Sequence, residues 1–193
     1  GSRLDFHAPL RIGGRASRQS VILDVTEKRG RSGELVFVKL RHQITRGSSL
    51  LLEEEPDIVY RAAQSVGAPA GKTAPLTPQW SRSVSPDPVL LFRYSALTFN
   101  SHRIHYDRDY ARNEESYAGL VVQGPLTATL LLDLLAQHFA AAELASFEFR
   151  GLRPLLDTAP FEICGVLEGN EVSLWAQDAN GEMAMQASAA LVP

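Results

Sequence analysis

The chain has 193 residues, 45% of them hydrophobic and 21% charged, which is enough to bury a sizeable core and matches an ordinary globular protein. A net charge of -3 with no basic block argues against a nucleic-acid partner. The most apolar stretch, residues 130–135, is far too short to span a bilayer, and one cysteine excludes an intrachain disulfide.

Residues 4–61 read as strands alone. The segments 20–26, 35–44 and 49–55 are β-rich, partly alternating and split by glycine-bearing turns. The basic turn 28–33 reads as a solvated hairpin tip in preference to a phosphate site. Strands without a helix leave one apolar face uncovered, so another chain, the second half or a further N-terminal segment is expected to supply the missing layer. Residues 67–88 are proline-rich and poor in apolar side chains, the make-up of an extended linker, with Trp80 expected to pin it to one half.

From residue 89 the order changes. The run 89–99 is expected as a strand, followed by a short polar helix over 107–113. A long helix then begins at Pro125, where a missing N–H costs nothing. That helix is apolar almost all round and belongs inside something. Strands are expected over 145–150, 160–167, 171–178 and 182–192, the last three joined by tight turns at Gly169-Asn170 and Asn180-Gly181. One strand, a buried central helix and an antiparallel meander make the layout of a hotdog fold. The first half reads as a partial copy with its strands present and its helix absent.

The chemistry concentrates in residues 92–107, Phe-Arg-Tyr-Ser-Ala-Leu-Thr-Phe-Asn-Ser-His-Arg-Ile-His-Tyr-Asp. His105 titrates near neutrality and can take and return a proton, although a structural histidine would occupy the same place. His102 competes for the role, and spacing does not separate the two. Asn100 can orient a water or a carbonyl but cannot ionise; an Asx turn is the local alternative. Gly124 precedes Pro125 at a helix start, where free N–H groups and the helix dipole favour an oxyanion. Arg93, Arg103, Arg150 and Arg153 are candidates for a carboxylate or phosphate. His7, His42 and His138 sit in regular patterns and read as structural, Asp107 as a helix cap, and Cys164 as a buried hydrophobe of a reducing compartment. No secretory or transit signal is visible, so an intracellular protein is expected, cytoplasmic or, in a eukaryote, mitochondrial.

Residues 89–193 resemble the MaoC-like hydratase/dehydratase family of hotdog enzymes. The sixteen-residue motif and the following Val-Val-Gln-Gly-Pro-Leu resemble the branch of itaconyl-CoA and mesaconyl-CoA hydratases and type 2 3-hydroxyacyl-thioester dehydratases. Residues 3–61 resemble that branch's N-terminal half. The resemblance implies an α+β double hotdog, with a partial, degenerate unit at 1–66, a linker at 67–88 and a catalytic unit at 89–193. It implies further that the N-terminal helix of the first unit is cut away or disordered.

Laid on the family's Asp-x-Asn-Pro-Leu-His motif, the histidine falls on His105 and the aspartate on Asn100, while the oxyanion glycine falls on Gly124. Asn100 departs from the pattern because an amide is no base, and a single-base mechanism on His105 is the expectation. The resemblance places Arg93, Tyr94, His102, Arg103, Val122 and Gln123 about the substrate. It implies hydration of an enoyl-CoA or dehydration of a 3-hydroxyacyl-CoA, a branched dicarboxylic acyl group being one candidate. No metal and no cofactor is expected beyond coenzyme A as part of the substrate, and a homodimer is. The alternatives are a hotdog acyl-CoA thioesterase and a non-catalytic acyl-CoA-binding subunit.

Overall fold

The computed structural model describes residues 1–30, 33–61, 71–74, 77–140 and 142–192. The tip of the basic turn (31–32) and, in and before the expected linker, 62–70 and 75–76 lie outside the described residues. Among the described residues, nine strands form one antiparallel sheet. They are β1 (Ser2–Phe6), β2 (Ser17–Gly30), β3 (Gly33–Arg46), β4 (Ser49–Arg61), β5 (Trp80–Val84), β6 (Leu144–Gly151), β7 (Phe161–Glu168), β8 (Glu171–Gln177) and β9 (Met183–Leu191). Their order is β2-β3-β4-β1-β6-β9-β8-β7-β5. Thus β1 joins the halves, pairing Leu4 with Glu54 of β4 on one side and with Phe147 of β6 on the other.

The helices are α1 (Pro88–Thr98), α2 (Arg108–Asn113) and α3 (Gly124–His138), with a 3-10 turn at Arg103–His105. Period 3.6 places Leu131, Leu134 and Leu135 of α3 on one buried face with Thr127 and Ala128. That face meets Phe161, Ile163, Val172, Leu174 and Ala189 of the meander. Each such side chain taken from water contributes about 1.5–3 kcal/mol. The opposite side of α3, with Thr129, Asp133 and Gln137, is exposed, so the helix is enclosed on one face instead of all round.

Residues 88–98 are helical and not the strand the β-rich run suggested. Capping decides against local propensity: Asp87 accepts the Leu90 N–H at 2.8 Å and Pro88 occupies the first turn. Within the stretch expected as linker, residues 80–84 form the edge strand β5 on β7. Trp80 lies over Gly165, stacks on His138 at 5.0 Å and meets Phe139 edge-on at 5.9 Å.

In the first half the register sets Ile22 beside Leu40, Val38 beside Ile58 and Ile44 beside Leu52. The opposite face is ionic, with Arg41 and Lys39 both on Glu55, at 2.8 and 3.2 Å. Among the described residues no helix lies within 1–61, and Ile22, Val25, Val59 and Tyr60 are exposed.

Candidate active site

The segment that leads into α3 is anchored first. Asp157, its side chain only 1% exposed, takes the Arg108 guanidinium in two bonds at 3.2 and 2.5 Å and accepts the Leu120 N–H at 2.8 Å. Gly119 lies so close that a Cβ there would meet Asp157 Oδ1 at 2.6 Å, so only glycine passes without displacing the carboxylate. The Val122 N–H continues the anchoring by donating to Leu155 O at 2.9 Å.

The histidine turn docks on this segment. Val121 N–H donates to Ile104 O at 2.9 Å, and His105 Nδ1 lies 2.7 Å from Val121 O. A carbonyl only accepts, so Nδ1 carries the hydrogen and Nε2 is left as the basic nitrogen. His105 is buried, and burial lowers its pKa; the bond to Val121 opposes this, and the charge of His102 adds to it. His102 itself is exposed and meets the His105 ring edge-on at 5.7 Å.

Three residues beyond Val121, Gly124 opens α3. The first helical bond runs from Thr127 N–H to Gln123 O, and among the described residues no acceptor meets the Gly124 N–H. Gly124 is exposed, and a Cβ there would find only Met185 Cε at 3.9 Å. His105 is thus bonded to the segment that leads, three residues on, into the start of α3.

Asn100 follows the left-handed C-cap residue Phe99 (φ 53°) of α1, and its Oδ1 accepts the His102 N–H at 3.1 Å. The Asx turn is thus formed, and the Nδ2 donor is the part of the amide left over. Tyr106 Oη donates to Ser101 O at 2.9 Å. Phe92, Ser95, Ala96, Phe99, Asn100 and Tyr106 line a largely apolar cavity of about 270 Å³ that Ser101 completes. Neither His105 nor Gly124 is part of that lining.

The remaining candidates separate. Gln123 is fully enclosed and donates from Nε2 to Leu91 O at 2.8 Å and to Ser95 Oγ at 3.0 Å. Val122 is buried beside it, and Tyr94 is half-buried against the core. Arg103 is tied to Asp107 at 2.7 Å and lies over the Tyr110 ring, whereas Arg93 is exposed with no ion pair among the described residues. Arg153 pairs with Glu182, and with Asp178 at 3.6 Å. His42 accepts or donates at Ser20 Oγ at 2.8 Å within the first half, and Cys164 is fully buried with its thiol pushed up to about 11 by burial, a chemically inert position.

Sequence reasoning did not find Asp157, Ser95 or the cavity. Arg108 and Asp157 are 49 positions apart, which local pattern does not bridge. Ser95 was legible: Leu91 and Ser95, four apart and both buried, share a face once Asp87-Pro88 is taken as a helix start.

The sequence profile of hydroxyacyl-thioester dehydratase type 2 matches residues 1–157. The chain belongs to this family. It is 49% identical to the mesaconyl-C(4)-CoA hydratase of Chloroflexus aurantiacus over 193 residues, covering 99% of this chain and 69% of that protein. It is 36% identical to the mitochondrial hydroxyacyl-thioester dehydratase type 2 of Schizosaccharomyces pombe, covering 65% of this chain and 42% of the relative. The chain thus spans less than half of that second relative. The fold is that of HtdX from Mycobacterium tuberculosis, with a TM-score of 0.78 at 16% identity over 99% of this chain and 75% of that one. The α+β double hotdog expected from the sequence is the fold found. Among the described residues no helix is long and apolar enough to cross a membrane.

Proposed function

We propose that this chain adds water reversibly to an enoyl thioester of coenzyme A, with His105 as the only acid–base group. Membership of a family of acyl-thioester hydratases and dehydratases makes it a hydro-lyase. What supports the site assignment is one arrangement. His105 is held through Nδ1 by the carbonyl of Val121, three residues before a glycine whose N–H opens the long helix and meets no acceptor among the described residues. In the hydration direction Nε2 takes a proton from a water held by the Asn100 amide. The hydroxide oxygen bonds to the β-carbon, and the electron pair of the double bond moves onto the thioester oxygen as an enolate resting on the Gly124 N–H. The imidazolium then returns its proton to the α-carbon, so one water is added with no net change in the enzyme.

We place the acyl group toward the cavity beside Phe92 and Phe99, and a branched dicarboxylic acyl group ahead of a plain one. The relative at 49% identity is named for mesaconyl-C(4)-CoA, and Arg93, exposed on α1 next in sequence to the cavity-lining Phe92, carries a guanidinium suited to a second carboxylate. A homodimer fits the uncovered apolar side chains of the first half, and light scattering after size exclusion tests it. Incubation with itaconyl-, mesaconyl- and crotonyl-CoA in heavy-oxygen water tests the reaction. Products carrying one heavy oxygen on the acyl chain are expected, fastest with a dicarboxylic substrate. Equal rates on all three would reject carboxylate selection, and free coenzyme A released in place of hydrated product would replace the reading with a thioesterase.

A further inference from the structure

A residue at a helix N-cap ordinarily turns its side chain back to bond the free N–H groups of the first turn. Gln123 occupies that position on α3 and makes no such bond. Its side chain crosses to α1 instead, with Nε2 on Leu91 O at 2.8 Å and on Ser95 Oγ at 3.0 Å. One consequence follows: the start of α3, and with it Gly124, is fixed against the helix whose Ser95 lines the cavity.

The arrangement carries a cost. Gln123 is fully enclosed, yet its Oε1 has no hydrogen-bond partner among the described residues. An orphaned buried acceptor costs about 1–3 kcal/mol, and an apolar side chain of the same size would avoid it. The Leu91 carbonyl would not be stranded by such a change, because the i→i−4 ladder of α1 offers it the Ser95 N–H. The Ser95 hydroxyl, which loses the amide, can turn to donate to that same carbonyl one turn back. Folding alone gives little reason for glutamine here.

We infer that Gln123 is a positioning residue that registers the Gly124 N–H against α1, and hence against the acyl cavity, without touching the substrate. The inference rests on the oxyanion role proposed for Gly124. It differs from the placing of Gln123 among substrate-contacting residues that family resemblance alone implies.

Gln123→Met tests it, since methionine fills a similar volume with no donor. The expected result is a melting temperature within a few degrees of the unaltered protein and a kcat about 10- to 100-fold lower, with KM for the thioester little changed, as misplacement of an oxyanion donor requires. Hydrogen exchange gives a readout independent of turnover: amides of α1 should exchange faster in the variant, with the meander strands unchanged. Unaltered kcat together with unaltered exchange would overturn the inference, as would a raised KM at constant kcat, which would make Gln123 a substrate contact. An unaltered protein inactive on every thioester would sink the proposed reaction and the positioning role with it, whereas an active one with unaltered variant kinetics and exchange would sink the role of Gln123 alone.

Discussion

His105 Nδ1 and Val121 O are 2.7 Å apart, a bond that spans 16 positions of sequence and fixes both the tautomer and the pose of the ring. The bond frees Nε2 for chemistry. Loss of a general base costs about 10²–10⁴-fold, so His105→Ala is expected to lower kcat for hydration by that range. His105→Asn keeps an N–H able to reach toward Val121, so it should recover stability without recovering turnover. Thermal unfolding and a stopped hydration assay on the same samples separate the two effects. An alanine variant with near-normal turnover would remove His105 from catalysis.

The same burial sets a pH dependence. His105 is held below the ordinary histidine value of 6.5, first by burial and then by His102, so it stays neutral and basic on the acid side of that value. The acid limb of kcat/KM is expected below pH 6.5 and should move upward in His102→Ala, where the opposing charge is gone. Stability follows by linkage. His42 is also lowered, by burial and by Arg18. As pH falls through the unfolded value of about 6.5, the unfolded chain binds protons that the folded chain refuses, so stability declines with acidification until the folded values are passed. Melting temperatures from about pH 8 down to about pH 5 check the sign, and His42→Gln should flatten the decline.

Asn100 offers a separation of roles. Its Oδ1 is engaged by the His102 N–H, and its Nδ2 is the donor left over. Asn100→Asp keeps the acceptor and so the turn, but loses the donor. The expected outcome is an unchanged melting temperature with turnover reduced about tenfold, whereas Asn100→Ala should lose about 0.5–1.5 kcal/mol of stability as well. Full activity in the aspartate variant would show that the amide serves only the turn.

Much of this was legible in the chain, because local physics and tertiary outcome agree where they overlap. The Gly169 and Gly181 turns have positive φ of 67° and 77°, as their hairpins demand, and α3 starts where Gly124-Pro125 said it should. The conflict lies in residues 88–98. There aromatic and β-branched residues favour a strand, while the Asp87 cap and Pro88 impose a helix whose buried face is only Leu91 and Ser95. Reading the strand placed Arg93 and Tyr94 on a sheet and hid the cavity between Phe92, Phe99 and Tyr106. The anchors of the site were illegible for a different reason. Asp157, Leu155 and Leu91 act through partners some 30 or more positions away, and such pairings have no local period.

Substrate choice is expected to separate at two positions of α1. Arg93→Ala should raise KM for mesaconyl-CoA about tenfold or more and leave crotonyl-CoA within about twofold, since only the first brings a second carboxylate. Ala96→Phe adds a ring to the wall of the cavity and should favour crotonyl-CoA over any branched thioester. Parallel changes on both substrates would show that neither residue selects the acyl group.

Asp157 is the residue whose loss should reach furthest. Its carboxylate answers both the Arg108 guanidinium and the Leu120 N–H, and its own N–H donates to Leu120 O at 2.9 Å. Alanine there leaves a buried N–H unpaired and a cation without its partner. Arg108 keeps part of its hydration, at 39% side-chain exposure, so the cost falls at the lower end for buried pairs, about 3 kcal/mol. Asparagine retains an acceptor for Leu120 and should cost less than alanine while still releasing Arg108. Denaturant unfolding orders the three proteins. Activity should follow the same order, because the segment from Leu120 to Gln123 carries both the carbonyl that holds His105 and the start of α3. An Asp157→Ala protein as stable as the original would show that the Leu155 and Ile104 bonds hold this segment without it.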